Sequence, residues 1–102
     1  MAVPLTIKVF QRGELVETHR CELDLIKIGR RLDADVLVKD EKVGRVHCVI
    51  RTEANGAVFL EDWSSHHGTH VRGQQWIKKI PLPFGEEILL GDTCLIVEKA
   101  DA

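Results

Sequence analysis

Several things are missing from this 102-residue chain, and each absence removes a class of function. The longest apolar runs reach about four or five residues, against the ~20 a membrane-spanning helix needs. No charged N-terminal region precedes a long apolar stretch, so no signal peptide is expected. Lys and Arg number 14 against 16 Asp and Glu, for a formal net charge of −2. General nucleic-acid binding normally shows a basic surplus, which is lacking, and the pair Lys78-Lys79 is too short to supply a patch. The three cysteines, Cys21, Cys48 and Cys94, form no Cys-x-x-Cys pair. Reduced, packed thiols in a cytoplasmic setting are the expectation, with one disulfide plus a free thiol left open. There is no G-x-S-x-G elbow and no strand-to-helix context for a nucleotide-type phosphate loop. Repeats, low-complexity stretches and linkers are absent. Apolar residues nowhere hold a helical period for three turns.

What remains reads as β-structure throughout. Leu5, Ile7 and Val9 alternate with Thr6, Lys8 and Phe10. Arg12-Gly13 is a turn candidate, and Leu15 to Cys21 alternates again. Leu23 to Ile28 stops at Gly29, and Val36 to Val38 makes a short run. Val49 to Thr52 and Val58 to Glu61 flank Asn55-Gly56, a strong hairpin signal. Val71, Trp76 to Ile80, Ile88 to Leu90 and Cys94 to Val97 complete the set. Glycines punctuate these runs at the spacing of a sandwich or barrel. Ile80, Leu82, Phe84, Ile88, Leu90, Leu95 and Val97 are core candidates, and Lys99 to Ala102 read as a loose tail. Length and pattern together suggest a single domain over 1–102, with its core about 5–98.

One geometric consequence follows. The runs Cys48 to Thr52 and Val58 to Asp62 are equal in length and joined by a tight hairpin. The chain therefore returns to the end from which it left. Val43 to His47 and Trp63 to Thr69 should lie side by side there, as two polar loops on a rigid scaffold.

Three polar clusters stand out from the strand-like background, two of them in those loops. They are Gly29-Arg30, Gly44-Arg45-Val46-His47 and Ser64-Ser65-His66-His67-Gly68-Thr69. Their order resembles the forkhead-associated (FHA) domain, whose marks are Gly-Arg, Ser-x-x-His and Asn-Gly-Thr. The resemblance extends from about Leu5 to Glu98 and includes the Gly91-Asp92 turn before the last strand. Gly44 stands where the family places Ser, and His67 where it places Asn. The resemblance implies an all-β, FHA-type sandwich of two antiparallel or mixed sheets with about eleven strands. It also implies that all three clusters share one recognition surface for phosphothreonine peptides.

The roles of individual residues follow from that resemblance and from their chemistry. Arg30 would contact the phosphate, since a guanidinium is a planar, permanently charged fork of donors. Gly44 lacks the hydroxyl that the family's Ser gives to the phosphate, a loss of about 1.5–3 kcal/mol. Either a backbone amide of Gly44 or Arg45, or the Arg45 side chain, would have to compensate. Ser65, His66 and His67 complete the expected peptide-binding set. A protonated His66 can pair with an anion, and His67 would partly replace an Asn that reads the peptide backbone. Gly29, His47, Gly68 and Thr69 are expected to shape the loops, with His47 bracing them internally.

Other readings of the same residues are weaker. A zinc site from His66, His67, His70 and either Cys48 or His47 would need adjacent histidines to converge on one centre without an anchoring cysteine pair. Asp62, Ser64, Ser65 and His66 are contiguous, whereas triad members converge from separate segments. Trp63 and Trp76 read as packing residues rather than stacking platforms. The expectation is thus a non-catalytic interaction module of the cytoplasm, acting in signal transduction. Its partner is a phosphothreonine-bearing protein, with no metal, no cofactor, no nucleic acid and no membrane. The alternative is a degenerate FHA domain that binds a partner without phosphate or serves as a scaffold. Sequence says nothing of oligomeric state.

Overall fold

A computed structural model describes residues 2–63, 65–73 and 76–100. It holds ten strands among the described residues, arranged as two five-stranded sheets. They are β1 (Leu5–Gln11), β2 (Glu14–Cys21), β3 (Leu25–Gly29), β4 (Val36–Leu37) and β5 (Cys48–Thr52), followed by β6 (Val58–Asp62), β7 (Thr69–Val71), β8 (Lys79–Pro81), β9 (Glu87–Leu90) and β10 (Thr93–Lys99). One sheet runs β2-β1-β10-β9-β7 and the other β4-β3-β5-β6-β8. The pairings are antiparallel except β3 with β4, which run parallel.

Alternation explains how the layers close. Leu5, Ile7 and Val9 on β1 point inward with Leu95 and Val97 on β10 and Ile88 and Leu90 on β9. Ile26, Ile28, Ile50 and Leu60 face them from the second sheet, all at 0% exposure. Each such side chain contributes about 1.5–3 kcal/mol relative to an exposed position. The β1–β2 link is the two-residue turn Arg12-Gly13. Both residues have positive φ, 54° and 77°, matching the right-handed twist of the flanking strands. Asn55-Gly56 also turns as expected, with Gly56 at φ 87° and the Asn55 side chain accepting from the Ala57 amide at 3.0 Å.

Two expectations shift. The run Trp76 to Ile80 does not extend as one strand. Trp76 sits at φ 52°, a left-handed conformation that breaks a strand, and pairing begins only at Lys79. The tail begins later than expected. Lys99 pairs with Leu5, and the Ala100 amide donates to the Pro4 carbonyl at 3.0 Å. Asp101 and Ala102 lie outside the described residues.

Candidate functional site: three loops at one end of the sandwich

The loop before β5 and the loop after β6 do lie side by side. Trp63 donates its amide to the His47 carbonyl at 2.9 Å, and the His47 ring reaches the Gly68 carbonyl at 2.8 Å. The Gly29-Arg30 segment joins them at the end of β3. Arg30 N–H donates to the Gly44 carbonyl at 3.0 Å, Arg31 N–H to the Arg45 carbonyl at 3.2 Å, and His47 N–H to the Ile28 carbonyl at 2.8 Å. Gly29 makes this approach feasible. A Cβ on it would stand 2.1 Å from the Arg45 carbonyl oxygen, closer than any side chain tolerates.

His47 is the central brace. It is fully buried, and its Nδ1 accepts from the Gly44 amide at 2.9 Å. Nε2 must therefore carry the ring proton and donate to Gly68. Acceptance at Nδ1 needs the neutral ring. Burial lowers its pKa, outweighing the Gly68 carbonyl and Asp62, which favour the charged form.

Asp62 organises the third loop. Its Oδ1 accepts from the Ser65 amide at 3.2 Å, while Oδ2 accepts from the Ser65 hydroxyl at 2.6 Å and the Thr69 hydroxyl at 2.8 Å. Ser65, expected in the peptide-binding set, is 7% exposed and donates its hydroxyl proton inside the loop. Asp62 was legible in retrospect, because an Asp at the end of a strand with Ser three residues later is a local turn signature. Gly68, at φ 82°, sits so close to Trp76 that a Cβ would lie 2.8 Å from the indole.

The cations divide sharply. Arg31 is locked to Asp33 by two contacts of 2.9 Å, from Nε and Nη2. Arg30 is exposed, and among the described residues it pairs with no carboxylate. Its Nε donates to the Val43 carbonyl at 2.6 Å, which fixes the guanidinium, and neither Nη group has a hydrogen-bond partner among the described residues. Arg45 is exposed on the adjoining loop, and so are His66 and His67 on the third.

Gly44 has a simpler environment than its position suggested. Its amide is committed to His47, so it is not the backbone donor that replaces a hydroxyl. The next two amides, of Arg45 and Val46, have no acceptor among the described residues. They form the better candidate nest beside Arg30. A Cβ on Gly44 would meet His47 Cα at 3.5 Å, an ordinary contact, and its φ is not left-handed. Nothing in the backbone demands glycine there.

The second loop is also tied to the opposite sheet. Asp40 accepts from the Lys42 amide (2.9 Å), the Asp92 amide (2.8 Å) and the Thr93 hydroxyl (2.8 Å). Burial disfavours its charge, but these donors prevail and hold its carboxyl below the usual range. Among the described residues no cluster of three or more His, Cys, Asp or Glu is arranged to hold a metal ion. Cys21 and Cys48 are buried, Cys94 is half-buried, and all are free thiols. Burial pushes Cys48 up to about 12. No helix is long and apolar enough to cross a membrane.

The resulting surface is open, rigidly braced and cationic, with backbone donors beside an unpaired guanidinium. Such an arrangement suits an anion carried on an extended chain. Depressions of about 520 and 450 Å3 are lined by none of Arg30, Arg45, His66 and His67, although Asp40 and Asp92 line the first.

Known proteins share this fold. A family model described as FHA domain matches residues 26–91. Among solved structures, an FHA domain from work on phosphothreonine-dependent FHA domain interactions is 27% identical, with a TM-score of 0.81 over 97% of this chain and 99% of that one. The FhaA FHA domain, complexed with the intracellular domain of Rv3910, is 29% identical with a TM-score of 0.78, covering 92% and 99%. The FHA domain of the CT664 protein from Chlamydia trachomatis is 20% identical with a TM-score of 0.82, covering 96% and 99%, and bears on fold alone. No curated protein matches the sequence.

Proposed function

Because the chain belongs to the FHA domain family, we propose that it is a non-catalytic module that binds phosphothreonine peptides on a signalling partner. The observation that carries this reading is Arg30, which is exposed, held by Val43 and unpaired with any carboxylate among the described residues. The phosphate takes its charge-assisted bonds from the Arg30 Nη groups and from the amides of Arg45 and Val46. The Arg45 side chain and His66 add positive charge nearby, and His67 meets the peptide backbone. Two relatives support the ligand class. One comes from work on phosphothreonine-dependent FHA interactions, and the other is an FHA domain held with a partner's intracellular domain. We take residues 1–102 as one such unit, placed in the cytoplasm, where its free thiols stay reduced.

Matched phosphothreonine and threonine peptide pools test this reading. The wild-type chain retains the phosphorylated pool preferentially at pH 7 and low salt. Arg30→Ala loses about 1.5–3 kcal/mol of charge-assisted bonding, roughly 10- to 100-fold in affinity. Arg31→Ala, removing an arginine already committed to Asp33, changes affinity less than about twofold. Equal retention of both pools would refute the proposal.

One observation favours a second reading, in which a partner binds without phosphate. Gly44 has no hydroxyl, and its amide is already spent. In that case phosphatase treatment of the partner, and Arg30→Ala, would both leave its capture intact.

A further inference from the structure

Two large apolar side chains stand exposed at the ends of the recognition surface, where neither packs into the core. Leu32 is 92% exposed, two residues beyond Arg30, on a loop closed by the Arg31–Asp33 pair and by Ala34 N–H donating to the Arg31 carbonyl at 3.0 Å. Trp76 is 50% exposed at the other end, its indole against Gly68.

Trp76 is held there by a specific device. Its amide donates to His70 Nδ1 at 3.0 Å, so His70 Nε2 carries the proton and donates to the His67 carbonyl at 2.8 Å. The two rings meet edge-on, 6.5 Å apart and inclined at 68°. A tryptophan at φ 52° is strained, and the histidine brace keeps it in place. The same brace ties the indole to the backbone of His67, a residue of the proposed site.

The order of the loops follows the order of the strands. Loop one (30–35) joins β3 to β4, loop two (43–47) enters β5, loop three (63–68) leaves β6, and the Trp76 segment enters β8. The sheet runs β4-β3-β5-β6-β8. At about 4.8 Å between strands, the row spans roughly 19 Å, the length of about six extended residues. Arg30, Arg45 and His66 lie within it together with the 38%-exposed Trp63, and the more exposed Leu32 and Trp76 stand at its limits.

We propose that Leu32 and Trp76 read side chains on either side of the phosphothreonine, so that the preferred ligand is an extended phosphopeptide of about six residues with a large apolar residue on each flank. This rests on the phosphothreonine reading above and names the ligand's class more closely. Exposed apolar groups beside a polar site are a mark of an interaction surface. An indole also attracts cations, but Arg30 and Arg45 on the same surface oppose a basic flank.

A degenerate peptide library with a fixed central phosphothreonine, run beside its unphosphorylated twin, tests the inference. Wild type enriches Leu, Ile, Met or Phe about five- to tenfold at one position on each side. Leu32→Ser flattens one flank, and Trp76→Ala flattens the other. Trp76→Phe keeps its flank, and circular dichroism confirms that each variant is folded. A phosphate-dependent pool with level flanks, or flanks unmoved by both variants, overturns this inference alone. Equal enrichment from the two libraries overturns the phosphothreonine reading and this one with it.

Discussion

The two ends of the β5–β6 hairpin are built by opposite means. At the turn end, the hydrogen bonds that shape residues 53–57 stay within a few residues. Glu53 N–H donates to Ala57, Gly56 N–H to Glu53, and Ala57 N–H to the Asn55 side chain. Gly56 is there for its φ of 87°, with nothing within 4 Å of a Cβ. At the loop end, local bonds such as Asp62 with Ser65 are supplemented by bonds that join distant segments. His47 ties Gly44 to Gly68, and Gly29 is there because the Arg45 carbonyl presses against it, not for an unusual φ. A turn fold can be local, but a recognition surface assembled from several loops has to be braced across the chain. That is why Gly29 is steric and His47 is neutral and buried.

The largest break of this contrast should come from paired glycine substitutions. Gly29→Ala drives a methyl into backbone that cannot retreat, and should cost about 3 kcal/mol or more, together with peptide binding. Gly56→Ala meets open space and carries only the left-handed penalty, about 1–2 kcal/mol, with binding unchanged. Urea unfolding of the two variants, followed by peptide titration, compares them directly. Equal stabilities would remove the steric role assigned to Gly29.

A smaller effect of opposite sign is expected at Gly44. Gly44→Ser adds a hydroxyl at a position where a Cβ has ordinary clearance. A new bond to a charged phosphate should raise affinity for a phosphothreonine peptide about tenfold or more. An unchanged affinity in calorimetry would mean that the phosphate does not sit beside this loop.

The same contrast explains what could be read from sequence. Strand alternation, Arg12-Gly13 and Asn55-Gly56 were legible because their chemistry is local. So was the meeting of the loops before β5 and after β6, since hairpin geometry alone requires it. Family resemblance, rather than pattern, brought Arg30 to the same end. The Asp62–Ser65 spacing announces a local turn, but not that the Thr69 hydroxyl joins the same carboxylate. The short β8 was also missed. Trp76 carries a strand-forming side chain, but His70 and Gly68 hold its backbone in a conformation that strands exclude. The pairing of Asp40 with Asp92 and Thr93 joins residues more than fifty positions apart, and no local motif announces it.

The smallest effect is the pH dependence of the brace. Burial lowers the pKa of His47 below 6.5, so the unfolded chain takes up a proton that the folded chain refuses. The stability this brace contributes is complete above about 6.5 and declines as pH falls toward the lowered folded value. Asp40 acts in a separate window, because its depressed pKa withdraws stability only as pH falls below about 3.8. Urea midpoints between pH 7.5 and 5 should fall for wild type, with a shallower slope for His47→Asn. Equal slopes would contradict the neutral brace.

The central claim is that an anion on an extended peptide is held between the Arg30 guanidinium and the second loop. Nitrogen-15 NMR of the chain titrated with one phosphothreonine peptide tests it most directly. The Arg30 Nε and the amides of Arg45 and Val46 should show the largest shifts, and the unphosphorylated twin should leave them in place. Shifts centred elsewhere, or the same shifts with both peptides, would contradict it.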